Sequence, residues 1–323
     1  MKKILSLLLV ATMICSLMAA CGVPAASASS EAPAASAAPA PAPSEAPAAP
    51  AAPATDVVAE AANGYFANFP DDKHMIGVPD LFKKIDAGEE LIILDVRQPA
   101  DYEKGHLKGA YNVPLGPTVA SSLELIPNDV PLYVNCYTGQ TSSQVVALLN
   151  MAGKFATNIQ GGFNNGISTT EGFAKYVDTT AAVLPTESYP VDEAIKTAVT
   201  KYFADMEASA GTFKYFNFPA ASLKELVVAE SEDYTILSIR KAEDFATGHI
   251  ANALNIPFGK GMQERFTEIS KDKPVVVYCY SGQTSSQTTA VLRMLGYEAY
   301  SLAGGMGKAG GSGWLGVDGP LVK

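Results

Sequence analysis

One pattern occurs twice in this chain and limits its fold more than any other feature: an apolar strand-like run, a cysteine, a short polar loop and a helical pattern. The first loop reads Cys136-Tyr137-Thr138-Gly139-Gln140-Thr141-Ser142-Ser143-Gln144, the second Cys279-Tyr280-Ser281-Gly282-Gln283-Thr284-Ser285-Ser286-Gln287. The cysteines lie 143 residues apart, and so do Arg97 and Arg240, and His106 and His249. At this offset Leu94-Asp95-Val96-Arg97 faces Leu237-Ser238-Ile239-Arg240, and Gly161-Gly162 faces Gly304-Gly305. No gap is needed over residues 92–162. Further upstream Tyr65-Phe66-Ala67-Asn68 resembles Tyr202-Phe203-Ala204-Asp205 at a smaller offset. The chain is therefore a duplication, with units predicted at 56–187 and 188–323, each of ordinary domain size.

Each cysteine should end a strand, with a Gly-containing loop feeding a helix over 140–152 or its counterpart, closed by Gly153 or Gly296 in the left-handed region. Loop amides and the first turn of a helix form a concavity that favours negative charge, so a thiol there is a candidate nucleophile. A buried structural cysteine, or a Cys136–Cys279 disulfide, is the bland alternative. Two copies of so polar a loop make poor core, which favours the reactive reading.

Within each unit short apolar runs alternate with helical patterns: strands over 91–96, 111–113, 132–135 and 157–159, and a helical turn over 99–104. Asp80 and Ser222 are plausible N-caps of the preceding helices. Strands buried on both faces and alternating with helices predict an α/β fold, each unit a central parallel sheet flanked by helices. Sites on such sheets form at the C-terminal ends of the strands, where both cysteines fall.

The first residues read as an export signal. Lys2 and Lys3 precede an apolar stretch too short for a comfortable membrane span, and Met18-Ala19-Ala20-Cys21-Gly22 resembles a bacterial lipobox. This predicts a lipoprotein signal over 1–20, lipidation of Cys21, and a protein anchored to the bacterial cell membrane on its extracytoplasmic side; an ordinary secretory signal cut near Ala26 or Ala28 is the alternative. Residues 21–55 are almost entirely Ala, Pro and Ser and read as a disordered tether. The formal net charge of -10 speaks against nucleic acid as a partner. Four cysteines and three histidines, at these spacings, assemble no zinc-type cluster, and no metal or other cofactor is expected.

The strand ending Asp-Val-Arg, the Gly-His-Leu/Ile…Ala…Asn-Val/Ile-Pro segment, the six-residue cysteine loop and the terminal Gly-Gly, followed in the second unit by Trp314 and Gly319-Pro320, resemble the rhodanese family of sulfurtransferases. The resemblance covers both units and neither the signal nor the tether. It implies two tandem rhodanese-like domains, with Cys136 and Cys279 carrying sulfane sulfur as persulfides. The substrate loops would be Tyr137, Thr138, Gly139, Gln140, Thr141 and Ser142, and Tyr280, Ser281, Gly282, Gln283, Thr284 and Ser285. Asp95, Arg97, His106, Arg240 and His249 would be structural supports, each arginine paired with a carboxylate such as Asp101 or Asp244. His106 and His249 as catalytic bases are the lesser reading, and His74 reads as a surface residue. Two-domain rhodaneses commonly keep only the second cysteine; keeping both makes this chain more like two single-domain rhodaneses in tandem. Asp95 also becomes Ser238 in the second unit, a change expected to weaken the ionic tie that supports Arg240.

The implied partners are a small sulfur donor (thiosulfate, persulfide or polysulfide) and a thiol or cyanide acceptor. A phosphatase or arsenate reductase on the same fold would use a longer loop closed by arginine, whereas no Lys or Arg occurs between Pro131 and Gly153 or between Pro274 and Leu292. That absence also favours a persulfide or polysulfide over the thiosulfate dianion. A non-catalytic sulfur carrier or binding lipoprotein is the remaining alternative.

Overall fold

The computed structural model describes residues 54–323; the signal, Cys21 and nearly all of the Ala/Pro/Ser tether lie outside the described residues. In chain order the first unit contributes α1 (Ala54–Ala67), β1 (Met75–Ile76), α2 (Val78–Asp86), β2 (Ile92–Asp95), α3 (Pro99–Tyr102), β3 (His106–Leu107), β4 (Tyr111–Asn112), α4 (Pro117–Ser121), β5 (Leu132–Asn135), α5 (Gln140–Met151), β6 (Ala156–Ile159) and β7 (Val177–Asp178). The second contributes α6 (Glu193–Ala208), β8 (Asn217–Phe218), α7 (Ala220–Val228), β9 (Thr235–Ser238), α8 (Ala242–Thr247), β10 (Leu254–Asn255), β11 (Val275–Tyr278), α9 (Gln283–Met294) and β12 (Ala299–Leu302).

Each unit holds a five-stranded sheet, ordered β1-β6-β5-β2-β4 and β8-β12-β11-β9-β10, and every pairing within these sheets is parallel. This is the predicted α/β architecture, in two copies. The central strands β5 and β11 are buried along their whole length, which is why they read as nearly continuous apolar runs. Asp95 pairs in register with Asn135, and Ser238 with Tyr278. Cys136 and Cys279 therefore emerge side by side with the arginine-bearing ends of the neighbouring strands.

The helices after the cysteine loops, α5 and α9, pack against each other, so one apolar cluster runs through both units. The N-terminal helices are exchanged. Helix α1 packs on α9, where the Tyr65 hydroxyl donates to Gln287 Oε1 at 2.8 Å and Phe66 meets Phe258 and Phe266 edge-on. Helix α6 packs on α4, and the Tyr202 hydroxyl donates to Gln144 Oε1 at 2.7 Å. The Tyr65/Tyr202 likeness seen in the sequence is thus a pair of equivalent clasps, each fastening one unit to the other.

Three local expectations are corrected. Helices α2 and α7 begin at Val78 and Ala220, ahead of the proposed caps; the prolines Pro79 and Pro219 set the entry, and Asp80 instead pairs with Lys83. His74 is not a surface residue but half-buried, stacked on Tyr65 with ring centroids 5.1 Å apart. The polar residues following the loops are core after all: Ser142, Ser143, Gln144, Ser285, Ser286 and Gln287 are all fully buried, because the α5–α9 contact covers them.

Candidate functional site

Each cysteine sits at the floor of its loop, 1 % and 2 % exposed, and both are free thiols. The Gly139 and Gly282 amides each donate to their own Sγ at 3.1 Å. Ser142 Oγ lies 3.2 Å from Cys136 Sγ, and Ser285 Oγ lies 3.4 Å from Cys279 Sγ. An amide donor on a nearly dry sulfur is what a sulfur-centred anion requires, and the hydroxyl beside it can add to or oppose that according to where its proton points.

The loops close on the double glycines. Phe163 N–H donates to Cys136 O and Met306 N–H to Cys279 O, both at 2.7 Å. A Cβ on Gly162 would meet Cys136 O at 2.5 Å and Gly139 N at 2.6 Å; one on Gly305 would meet Gly282 N at 2.6 Å. Both glycines also have positive φ, so the Gly-Gly pair read from the sequence is the strap that holds each loop shut.

The two loops meet across the unit boundary and exchange a glutamine. Gln140 reaches into the second unit, where its Nε2 donates to Asn217 Oδ1, Ser301 Oγ and Leu302 O and its Oε1 accepts from Gly304 N. Gln283 reaches into the first, where its Oε1 accepts from Asn158 Nδ2 at 3.0 Å and Gly161 N at 3.2 Å. Between the loops lies a cleft of about 500 Å³, lined among others by Thr138, Gln140, Asn165, Ser281, Gln283 and Lys308. Tyr280 also lines it, and with Thr284 borders a smaller recess of about 90 Å³ that holds Lys73 and Lys241. Thr141, Thr284's counterpart, is likewise half-buried at the first turn of its helix.

The tyrosines after the cysteines brace the loops. The Tyr137 hydroxyl donates to Asp101 Oδ2 at 2.7 Å and accepts from Gln98 N; Tyr280 does the same with Asp244 and Lys241 N. Burial, and then the carboxylate partner, push the pKa of both phenols above the ordinary tyrosine value, which keeps them protonated as donors.

Asp101 and Asp244 are thereby engaged, and the expected arginine pairs do not form. Arg97 pairs instead with Asp95, its Nη2 at 2.6 Å from Oδ2, and also donates to Gly105 O. Strand pleating explains the choice: residues two apart on one strand end share a face, while Asp101 is one helix away. Arg240, whose neighbour is Ser238, keeps only a bond to Gly248 O and a distant stacking on Tyr278, and its buried Nε has no partner among the described residues.

His106 and His249 are turned away from the sulfurs. His106 Nδ1 contacts Tyr102 O and its Nε2 Thr180 O, and His249 Nδ1 contacts Phe245 O. Both rings stack on an aromatic neighbour, His106 on Tyr102 and His249 on Phe245. Trp314 is fully buried, with its indole N–H on Pro320 O.

Sequence reasoning missed Gln140 and Gln283 as cross-unit ligands, Asn158 and Ser301 behind the loops, and the three lysines. The 143-residue alignment already sets Asn158 against Ser301 and Asn165 against Lys308; nothing in it says that they approach the cysteines. Among the described residues no group of three or more His, Cys, Asp or Glu is placed to hold a metal, and no helix is long and apolar enough to cross a membrane.

Several known proteins resemble parts of this chain. The chain is 34 % identical over 90 residues to the putative sulfur carrier protein YrkF of Bacillus subtilis, spanning about half (48 %) of that protein's length. It is 38 % identical over 79 residues, 24 % of this chain, to the thiosulfate sulfurtransferase GlpE of Coxiella burnetii, of which it spans 73 %. Among solved structures, the Escherichia coli 3-mercaptopyruvate sulfotransferase SseA aligns over 72 % of this chain and 99 % of its own, at 19 % identity and a TM-score of 0.32. The Rhodanese-like domain profile matches residues 78–168 and again 220–309, together more than half of the chain. Two such domains, each closing its strap over a cysteine loop, make this chain a member of the rhodanese family.

Proposed function

We propose that the chain is a sulfurtransferase that moves sulfane sulfur through cysteine persulfides. The observation that carries this reading is the twice-repeated cradle, a buried thiol with a glycine amide at 3.1 Å and a serine hydroxyl within 3.4 Å. In the first step the Cys136 or Cys279 thiolate attacks the outer sulfur of a donor. The new S–S bond forms as the donor's bond to that sulfur breaks, and the donor leaves with the electron pair; from thiosulfate the leaving group is sulfite. The cysteine is left as Cys–S–S⁻, whose charge the loop amides stabilise as an oxyanion hole does for oxygen. In the second step a thiol or cyanide acceptor attacks the outer sulfur and the cysteine thiolate departs. The two displacements balance without a redox cofactor. The names of the relatives support both a catalyst and a carrier, and the sulfurs' deep burial favours slow exchange as much as rapid turnover.

Mass spectrometry of the purified protein before and after a sulfane donor tests the proposal. The expected result is one added sulfur on the Cys136 and Cys279 peptides, removed by cyanide. Loading without removal would favour the carrier; no loading would refute both readings. The same proposal places the domains outside the cytoplasm on a lipid attached to Cys21. Cys21→Ser is then expected to release the protein from membranes with sulfur transfer intact, and a processed variant that stayed membrane-bound would overturn the anchor.

A further inference from the structure

The two sites differ in charge, and we propose that Cys279 is the entry site for an anionic sulfur donor while Cys136 is the slower, secondary thiol. This rests on reading both cysteines as sulfur-accepting nucleophiles. Two separate observations carry it.

The first is the ring of cations. Lys308 lines the cleft beside Ser281 and Gln283, and Lys73 and Lys241 line the recess beside Tyr280 and Thr284. The repeat puts Asn165 at the position of Lys308 and Gln98 at that of Lys241. Lys73 comes from the turn that follows the exchanged helix α1, and its equivalent is Tyr215: Lys73 O accepts from Gln287 Nε2 as Tyr215 O accepts from Gln144 Nε2, and φ is 61° at one and 60° at the other. Three lysines around the second loop thus correspond to three uncharged residues around the first. A dianion is drawn to the former and not to the latter.

The second is the direction of the hydrogen bonds behind each sulfur. In the first unit the Gly161 N–H can only donate, which fixes the facing atom of Gln283 as Oε1. Asn158 must then turn Nδ2 towards Gln283 and Oδ1 towards Ser142, 2.6 Å away. Ser142 has one proton, and this acceptor-only oxygen claims it, so its lone pairs face Cys136 Sγ and suit a thiol. In the second unit the same logic reverses. Gly304 N–H fixes Gln140 Oε1, leaving Nε2 to donate to Ser301 Oγ at 3.1 Å. Ser301, at Asn158's position, is a hydroxyl that can donate to Ser285 (2.9 Å), and Ser285 can donate either to Gly282 O (3.1 Å) or to the Cys279 sulfur (3.4 Å). No acceptor-only side chain claims the Ser285 proton as Asn158 Oδ1 claims that of Ser142 at 2.6 Å, so it can turn to the sulfur, which suits a thiolate.

Both predictions are read in the intact protein by quantifying the two cysteine peptides. With limiting thiosulfate at neutral pH, the Cys279 peptide should gain sulfur at least about tenfold faster than the Cys136 peptide. Added salt, or the combined Lys73→Tyr, Lys241→Gln and Lys308→Asn substitutions, should remove most of that excess. With iodoacetamide, which is uncharged and transfers no sulfur, Cys279 should still react faster. Ser301→Asn should slow it and Asn158→Ser should speed Cys136, with parallel changes in far-ultraviolet thiolate absorbance measured in the single-cysteine proteins. Each swap installs the residue that the other unit already carries, and the comparison within the unaltered protein needs no variant at all. Equal rates at the two cysteines, or a faster Cys136, would overturn the proposal. If thiosulfate loaded neither cysteine while iodoacetamide still ranked Cys279 first, the anion-entry assignment would fall with the sulfurtransferase reading, and the relay alone would stand.

Discussion

The two halves of this molecule were copied from one template and have diverged mainly in what supports the cysteine. In the first unit Asp95 and Arg97 form a buried ion pair, and Phe163 lies 3.8 Å over the guanidinium. In the second, Ser238 leaves Arg240 with a carbonyl and an unpartnered Nε. The first unit has its own orphan: Asn135, buried beside Cys136, has no partner for either side-chain polar atom among the described residues, where Tyr278 in the second unit receives Ile250 N–H. The first copy thus neutralises its buried arginine with a carboxylate, whereas the second leaves Arg240 without one. Duplication lets the scaffold stay constant while the electrostatics of the two sites part.

The largest test of this contrast is Asp95→Ala. It strands Arg97 as a buried unpaired charge and should cost about 3–5 kcal/mol in urea unfolding, whereas Ser238→Ala should cost about 1 kcal/mol or less. Ser238→Asp should raise stability by giving Arg240 the partner its counterpart has. Equal losses for the two alanine variants would mean that the ion pair is not what separates the units.

The exchanged glutamines come next. Gln140→Ala removes bonds to Asn217, Ser301, Leu302 and Gly304 and should cost about 2 kcal/mol, against about 1 kcal/mol for Gln283→Ala, measured by the same unfolding curves. The sequence alone, with loops of nearly the same composition, leads one to expect the two cysteines within about tenfold of each other, or about 1.4 kcal/mol in barrier. The lysine ring sharpens this for an anionic donor: Cys279→Ser should lose most thiosulfate-dependent transfer and Cys136→Ser little. A donor without charge should bring the two variants closer together.

The smallest effect concerns His74, which the clasp places where the second unit has Phe216; the two residues share the same unusual backbone, with φ of 50° and 53°. Burial pulls His74 below the ordinary histidine range, against a weaker opposing pull from Asp72. A depressed folded-state value means that the unfolded chain takes up the proton first. This contribution is present above the unfolded value of about 6.5 and is lost as pH falls below it. His74→Phe should flatten that acid-side decline in melting temperature while changing stability at neutral pH by about 1 kcal/mol or less.

The sequence by itself determined the local and the repeated. The strand–cysteine–loop–helix unit, the left-handed glycines and the parallel sheets follow from apolar runs, backbone sterics and an ungapped offset, which act over a few residues or within one copy. It left the partner of Arg97 open between Asp95 and Asp101, both near in sequence, and only the strand's pleat selects Asp95. It misjudged Ser142, Gln144 and their counterparts because polarity foretells exposure unless another surface covers it, and here that surface is the other unit. The exchange of α1 and α6, the crossing of Gln140 and Gln283, and the gathering of Lys73, Lys241 and Lys308 around one loop were decided only by the tertiary structure. They depend on how two already folded copies bury their remaining apolar faces against each other, and no local pattern in either copy records that docking.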